Sequence, residues 1–210
     1  MTGALASKLS PLALTELGRC RVSQSDDGMD GTVVLIGPDE PEFWPLFKQS
    51  AEYNDGLADP IDRWSHRVLT ALAAQLGGDA LFPVGAPPYQ PLYSWAVRSV
   101  RFWPSPIGFL VHDERGLFVS FRGAMLFSKE PADTPRKNRP CDTCTGRPCL
   151  SACPVNAFAD GYDVDACKAH LRRPEGNDCM SLGCRARAAC PIGQGTRIPD
   201  QAQHHMKAFL

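Results

Sequence analysis

Cys141-Asp-Thr-Cys-Thr-Gly-Arg-Pro-Cys-Leu-Ser-Ala-Cys-Pro154 places four cysteines in thirteen residues and closes on Cys-Pro. The spacing is C-x2-C-x4-C-x3-C-P, at Cys141, Cys144, Cys149 and Cys153. Cys167, Cys179, Cys184 and Cys190 follow, and Cys190 again precedes a proline. Eight of the nine cysteines therefore make two sets of four. Cys20 stands apart and reads as a buried, spare thiol.

Three chemistries compete for such a cluster of thiols. Disulfides need an oxidising compartment. The first twenty residues, MTGALASKLSPLALTELGRC, hold no uninterrupted apolar run of the signal-peptide kind, so the expected location is the cytoplasm. Zinc sites usually present two separated C-x2-C pairs, and this chain has one. A repeated Cys-Pro suits iron–sulfur chemistry. Three closely spaced thiolates hold one cluster, and the cysteine before proline reaches the other. The expectation is two [4Fe-4S] clusters, with two zinc ions as the competing reading. Applied here, the crossover rule assigns Cys141, Cys144, Cys149 and Cys190 to one cluster. It assigns Cys153, Cys167, Cys179 and Cys184 to the other.

Outside this segment the composition is that of a globular protein, 43% hydrophobic and 21% charged, with net charge −1. Nothing in that balance points to nucleic acid or an anionic membrane. No apolar run approaches the roughly 20 residues of a membrane span. Charge is uneven along the chain. Residues 1–135 carry 11 Lys+Arg and 16 Asp+Glu, whereas residues 136–197 carry 10 and 6. Glu130-Pro-Ala-Asp-Thr-Pro-Arg-Lys-Asn-Arg-Pro140, with three prolines, reads as a linker. Two domains are expected, 1–135 and 136–210. An iron–sulfur cluster with four thiolates is anionic, so the arginines near the motif, among them Arg136, Arg139, Arg147, Arg172, Arg173, Arg185 and Arg187, are possible counter-charges, with a solvated or docking face as the alternative.

The first domain reads as a mixture of strands and helices. Ser10-Pro11 suggests a helix start, running to Leu17 and stopping at Gly18. Thr32–Ile36 reads as a buried strand, and Pro41–Tyr53 as an aromatic-rich helix. Asp59-Pro60 opens a helix from Ile61 to Leu76, with Ile61, Trp64, Val68, Leu72 and Leu76 on one face and Gly77-Gly78 as its stop. Ala80–Val84 is a second strand, and Tyr89–Arg101 reads as helical. Ile107–His112 and Leu117–Leu126 flank Asp113-Glu-Arg-Gly116 and read as a hairpin. The aromatic residues Phe43, Trp44, Phe47, Trp64, Trp95, Phe102 and Trp103 read as core. The expected fold class is α+β.

Two stretches resemble known families. The layout CDTC…CLSACPVNAF, then DVDACKAHL, then DC…GC…CPIG resembles the bacterial-type two-cluster ferredoxin part of epoxyqueuosine reductase, where an isolated cysteine like Cys167 lies between two motifs. The intervals from Cys144 to Cys149, from Cys179 to Cys184 and from Cys184 to Cys190 are longer here than in that family. Asp59-Pro-Ile-Asp62 with Ile107-Gly-Phe-Leu-Val-His-Asp-Glu-Arg-Gly-Leu-Phe-Val-Ser-Phe-Arg-Gly-Ala-Met-Leu126 is similar to the cobalamin-processing family (methylmalonic aciduria and homocystinuria type C). That resemblance implies a flavin-reductase/nitroreductase-like α+β sandwich before a small ferredoxin-like domain. It also implies a corrinoid as possible cofactor, and Arg122 as a cofactor-binding position. The combined expectation is a redox protein serving a partner protein or a corrinoid. An electron carrier whose first domain only docks a partner, and a zinc-stabilised interaction module, are the alternatives.

Overall fold

The computed structural model describes residues 2–85, 87, 89–128, 137–196 and 198–210. Six strands occur among them: β1 (Leu14–Val22), β2 (Gly31–Pro38), β3 (Asp79–Leu81), β4 (Phe102–Pro104), β5 (Leu110–His112) and β6 (Gly123–Phe127). All pairings are antiparallel, in a four-stranded sheet of order β1-β2-β6-β3 and a separate β4-β5 pair. Helices pack against the four-stranded sheet, and the class is α+β. The chain divides into two compact units. The first holds residues 1–101 and 120–137, the second 102–119 and 138–210.

In the first unit, β2 has neighbours on both edges and buries Val33, Val34, Leu35 and Ile36 at no more than 2% exposure. A short unbroken apolar run is what such a strand requires. The helix Pro60–Leu76 packs against β3 and β6. Pro60 fits its first turn, where an N–H would lack a partner, and Gly77 closes it in the left-handed region (φ 70°). Ile61, Trp64, Val68 and Leu72 form its buried stripe, each such side chain contributing roughly 1.5–3 kcal/mol. Phe43 stacks on Phe47 at 5.7 Å and meets Trp64 edge-on at 5.4 Å, so these aromatic residues are core.

Three expectations are corrected. Residues 10–17 do not form a helix. The helix is Thr2–Leu9, and after a single 3-10 turn Leu14–Val22 is a strand, because its residues pair with β2 along its length, with a bulge between Glu16 and Gly18. Gly18 does not stop a helix. It lies in β1, where a Cβ would meet Ser99 Oγ at 2.7 Å. The hairpin around Asp113–Gly116 is also different. Gly123–Phe127 pairs with β2 and β3, which satisfy both its edges, while Leu110–His112 pairs backward with Phe102–Pro104. The turn between β4 and β5 is Ser105–Gly108, closed by Gly108 N–H donating to Ser105 O at 3.0 Å. In consequence the boundary expected at 135/136 shifts, and residues 102–119 belong with the cysteine-rich segment. Most of the expected linker, residues 130–136, lies outside the described residues. No helix among the described residues is long and apolar enough to cross a membrane.

One buried carboxylate anchors the first unit. Asp27 Oδ1 accepts from Trp95 Nε1 at 2.8 Å and from Arg98 Nη1 at 3.0 Å, and its side chain is 3% exposed. Burial opposes its charge, but the hydrogen bonds from Arg98 and Trp95 prevail and hold its pKa below the usual carboxylate range. A carboxylate held low contributes stability above its unfolded pKa of about 3.9, and that stability is lost as pH falls through the lower folded value. Asp27→Asn is therefore expected to cost the first unit about 2 kcal/mol at pH 7. The cost should shrink once acid protonates the wild-type carboxyl. Urea unfolding at pH 7 and pH 3 checks this, and an equal deficit at both values would contradict it.

Candidate metal centre

The second unit arranges its eight cysteines around two pockets. Cys141 sits in a 3-10 turn at Pro140–Asp142 and Cys149 in another at Pro148–Leu150. Between them, Gly146 (φ 74°) and Arg147 (φ 41°) take left-handed conformations, which fold the four-residue interval from Cys144 to Cys149 into a compact loop. Cys141, Cys144, Cys149 and Cys190 line one pocket of about 380 Å³, partly open to solvent. Its floor is Ser105, Val111 and Leu117 from the inserted residues 102–119.

The second pocket, about 760 Å³ with its solvent opening, is lined by Cys153, Cys167, Cys179 and Cys184. Cys167 is carried by the helix Val164–Leu171, whose N-cap Asp163 accepts from Ala166 N at 2.8 Å. Cys179 lies on the helix Asn177–Leu182, and Cys184 is the N-cap of Arg185–Ala188. Cys153 accepts a hydrogen bond from Ala157 N–H at 3.3 Å. Both pockets thus gather four cysteines, and the two sets are those the crossover rule assigns.

Burial pushes the thiol pKa values of Cys141, Cys149, Cys179 and Cys184 up. At Cys141 the Arg139 charge opposes this, and at Cys184 the backbone N–H and charge of Arg187 do so. Burial and the adjacent Cys167 thiol push Tyr162 up as well. None of the nine cysteines is in a disulfide. Among the described residues, no three or more His, Cys, Asp or Glu side chains are placed to hold a single metal ion.

The arginines divide. Arg147 lines the first pocket, and Arg185 and Arg187 the second, while Arg139 hydrogen-bonds Pro104 O at 2.7 Å beside Cys141. Arg172 and Arg173 are exposed, and Arg136 lies outside the described residues. Sequence reasoning missed Val111 and Leu117 as lining of the first pocket. Their only sequence signal was the apolar runs on either side of Asp113–Gly116, which carry no cysteine.

Cys20 is buried in β1 at 7% exposure, away from both sets, and burial raises its pKa. Arg122 is in the first unit. Its backbone N–H donates to Ile36 O at 2.8 Å, and its buried Nε has no hydrogen-bond partner among the described residues. Burial pulls its pKa down, opposed by the charges of Asp62 and Glu40. No family model matches the chain, and no curated protein is significantly similar to it.

The arrangement predicts a sharp contrast between two cysteines. Cys167→Ser should lower bound iron by about half, since one of two four-thiolate sets loses a ligand. Cys20→Ser should leave iron unchanged. Iron assay after anaerobic reconstitution decides, and the reverse pattern would overturn the assignment.

Proposed function

We propose that the chain is an iron–sulfur electron-transfer protein whose second unit holds two [4Fe-4S] clusters. The observation that carries the reading is the sorting of eight cysteines into two separate four-cysteine pockets inside one compact unit. The donor chemistry fits, because soft thiolates select iron–sulfur clusters and zinc over hard cations. The repeated Cys-Pro favours the cluster over zinc, because in a two-cluster module the cysteine before proline reaches the other cluster.

When bound, a [4Fe-4S] cluster takes up and releases single electrons. The chain's own residues do the rest. Cys149, Cys179 and Cys190 are each no more than 7% exposed, which excludes bulk water from part of each donor set. Ala157 N–H points at the Cys153 sulfur, and hydrogen bonds of this kind help set a cluster's potential. Arg147 and Arg187 place positive charge beside anionic sites.

The partner in this reading is a redox protein, and the location the cytoplasm. The first unit, an α+β domain of the nitroreductase-like kind, docks that partner. A corrinoid is not part of the reading. Five of the aromatic residues of the first unit, Phe43, Trp44, Phe47, Trp64 and Trp95, are at most 3% exposed in the core and offer it no face. Arg122 is buried, with the charges of Asp62 and Glu40 acting on it.

Anaerobic reconstitution with iron and sulfide tests the proposal. Expected are about eight irons per chain, a brown protein with a broad blue shoulder, and paramagnetic signals on one-electron reduction. A colourless protein carrying two zinc ions would overturn it in favour of a zinc-stabilised module.

A further inference from the structure

We propose that the turn Asp113–Gly116 is a wall of the first metal centre and that His112 is the positioning residue that holds this wall against Cys190. The inference rests on reading the first pocket as a cluster site, and it adds an element that contains no cysteine and precedes the motif by some 25 residues.

The contact is between two backbones. A Cβ built on Gly116 would meet Ile192 O at 2.3 Å and Cys190 Sγ at 3.1 Å, and Gly116 has φ 63°. Reciprocally, a Cβ on Gly193 would meet Arg115 O at 2.5 Å, and Gly193 has φ 71°. Each segment has a glycine where the other approaches, so the 113–116 turn lies directly on the chain around the fourth cysteine. Carbonyl oxygens fixed in their own peptide planes cannot yield as a flexible side chain can. Any side chain at 116 displaces the turn, Cys190, or both.

His112 fixes the turn from behind. It is 2% exposed and packs edge-on against Phe102 at 4.7 Å. Its Nδ1 accepts from Glu114 N–H at 3.2 Å and Arg115 N–H at 3.1 Å. Its backbone exchanges hydrogen bonds with Gly116, at 3.1 and 3.0 Å. An imidazole that accepts at Nδ1 carries its proton on Nε2. The Asp113 carboxylate, 3.2 Å from the same nitrogen, adds no hydrogen bond while Nδ1 is an acceptor. Val111 and Leu117, on either side of the turn, are 1% and 2% exposed and line the same pocket. The wall is therefore apolar toward the cysteines and braced by a polar ring on its other side. Its consequence is retention: the turn covers part of the Cys190 side of the pocket, and displacing it exposes that side further to water and chelators.

The test uses the full chain, reconstituted anaerobically, with iron content, reduced-state spectra and the rate of iron loss to a ferrous chelator as readouts. Gly116→Ala is expected to hold about half the wild-type iron, keeping the second cluster's signal. Gly108→Ala is the control for backbone strain alone, because Gly108 has φ 81° in the neighbouring turn yet nothing within 4 Å of an added Cβ. It is expected to keep both clusters. His112→Leu removes the acceptor and is expected to release one of two clusters about tenfold faster, the loss of two modest hydrogen bonds. His112→Asn, whose amide oxygen accepts from N–H groups just ahead of it, should restore retention. In a Cys167→Ser chain, which keeps the first cluster alone, Gly116→Ala should leave almost no iron. A wild-type chain that takes up no iron overturns the cluster reading itself. A fully loaded wild type with Gly116→Ala equally loaded and equally slow to release overturns the wall. If Gly116→Ala fails to fold, the His112 pair decides, and equal loss of both clusters in His112→Leu counts against the proposal.

Discussion

Stripping iron from the reconstituted protein is expected to unfold residues 102–119 and 138–210 as one block, while residues 2–101 and 120–128 stay folded. The second unit has a small core: Ile107, Val111, Leu117 and Phe158 are joined there by Cys149, Cys190 and Ala186. Cysteines are thus part of the hydrophobic interior itself. A unit with so few large buried aliphatics offsets little of its chain entropy by apolar burial. On the proposed iron–sulfur reading, metal binding supplies the missing folding free energy, and its loss removes it. The inserted segment should unfold with the cysteines, because Ile107, Val111 and Leu117 have their core there. Hydrogen exchange read by mass spectrometry before and after anaerobic chelation measures this directly. Protection surviving in residues 102–119 after metal removal would contradict it, as would simultaneous loss throughout the chain. A fragment starting at residue 136 lacks those core residues and should take up little iron even under reconstitution.

The parts of this molecule that were legible in the sequence are those written in short-range pattern. The helix Pro60–Leu76 announces itself by a start signal, a 3.6-residue stripe and a closing glycine pair, and β2 by five consecutive apolar or β-branched residues. The two cysteine sets follow from spacing and the two Cys-Pro pairs, because each set is held by local turns and helix ends. Pairing decided over longer distances was hidden. Leu14–Val22 mixes Glu16, Arg19 and Arg21 with Leu14, Leu17, Cys20 and Val22, so its strand character comes from β2 rather than from its own periodicity. Asp113-Glu-Arg-Gly116 is a real turn, but the strands beside it belong to different sheets. The stronger signal was Pro104-Ser-Pro-Ile-Gly108, which closes the β4-β5 pair. The composition shift near residue 135 lies close to the crossing at 137/138, but it could not show that residues 102–119 join the second unit. Residues 102–119 contain no cysteine, and their allegiance lies in apolar contacts with Phe158 and Ala186 that no local window contains.

Arg187 is where stability and electrostatics of the second pocket meet, and Arg187→Ala should show a large single-residue effect. Its Nε donates to Leu117 O at 2.7 Å and its Nη2 to Val119 O at 3.4 Å. Its guanidinium lies over Phe118 at 4.8 Å and Phe109 at 6.0 Å. It thereby ties the segment after β5 to the helix Arg185–Ala188, which Ala189 and then Cys190 follow. Truncation removes a charged donor from two carbonyls and a cation from two rings, a cost to the second unit of about 2–4 kcal/mol. It also removes a positive charge that opposes the burial-driven rise at Cys184, so the second cluster becomes harder to reduce and its midpoint potential falls. Arg187→Lys separates the two roles. Lysine keeps the charge but loses the planar fork that reaches two carbonyls while covering a ring. The lysine variant should therefore hold its potential near wild type yet unfold at clearly lower denaturant. Denaturant unfolding of the loaded protein, paired with a redox titration that follows each cluster by its paramagnetic signal, gives both quantities. If Arg187→Ala leaves the denaturation midpoint unchanged, the tie to Leu117 and Val119 is not a support. If both clusters shift equally, the charge does not act on the second pocket in particular.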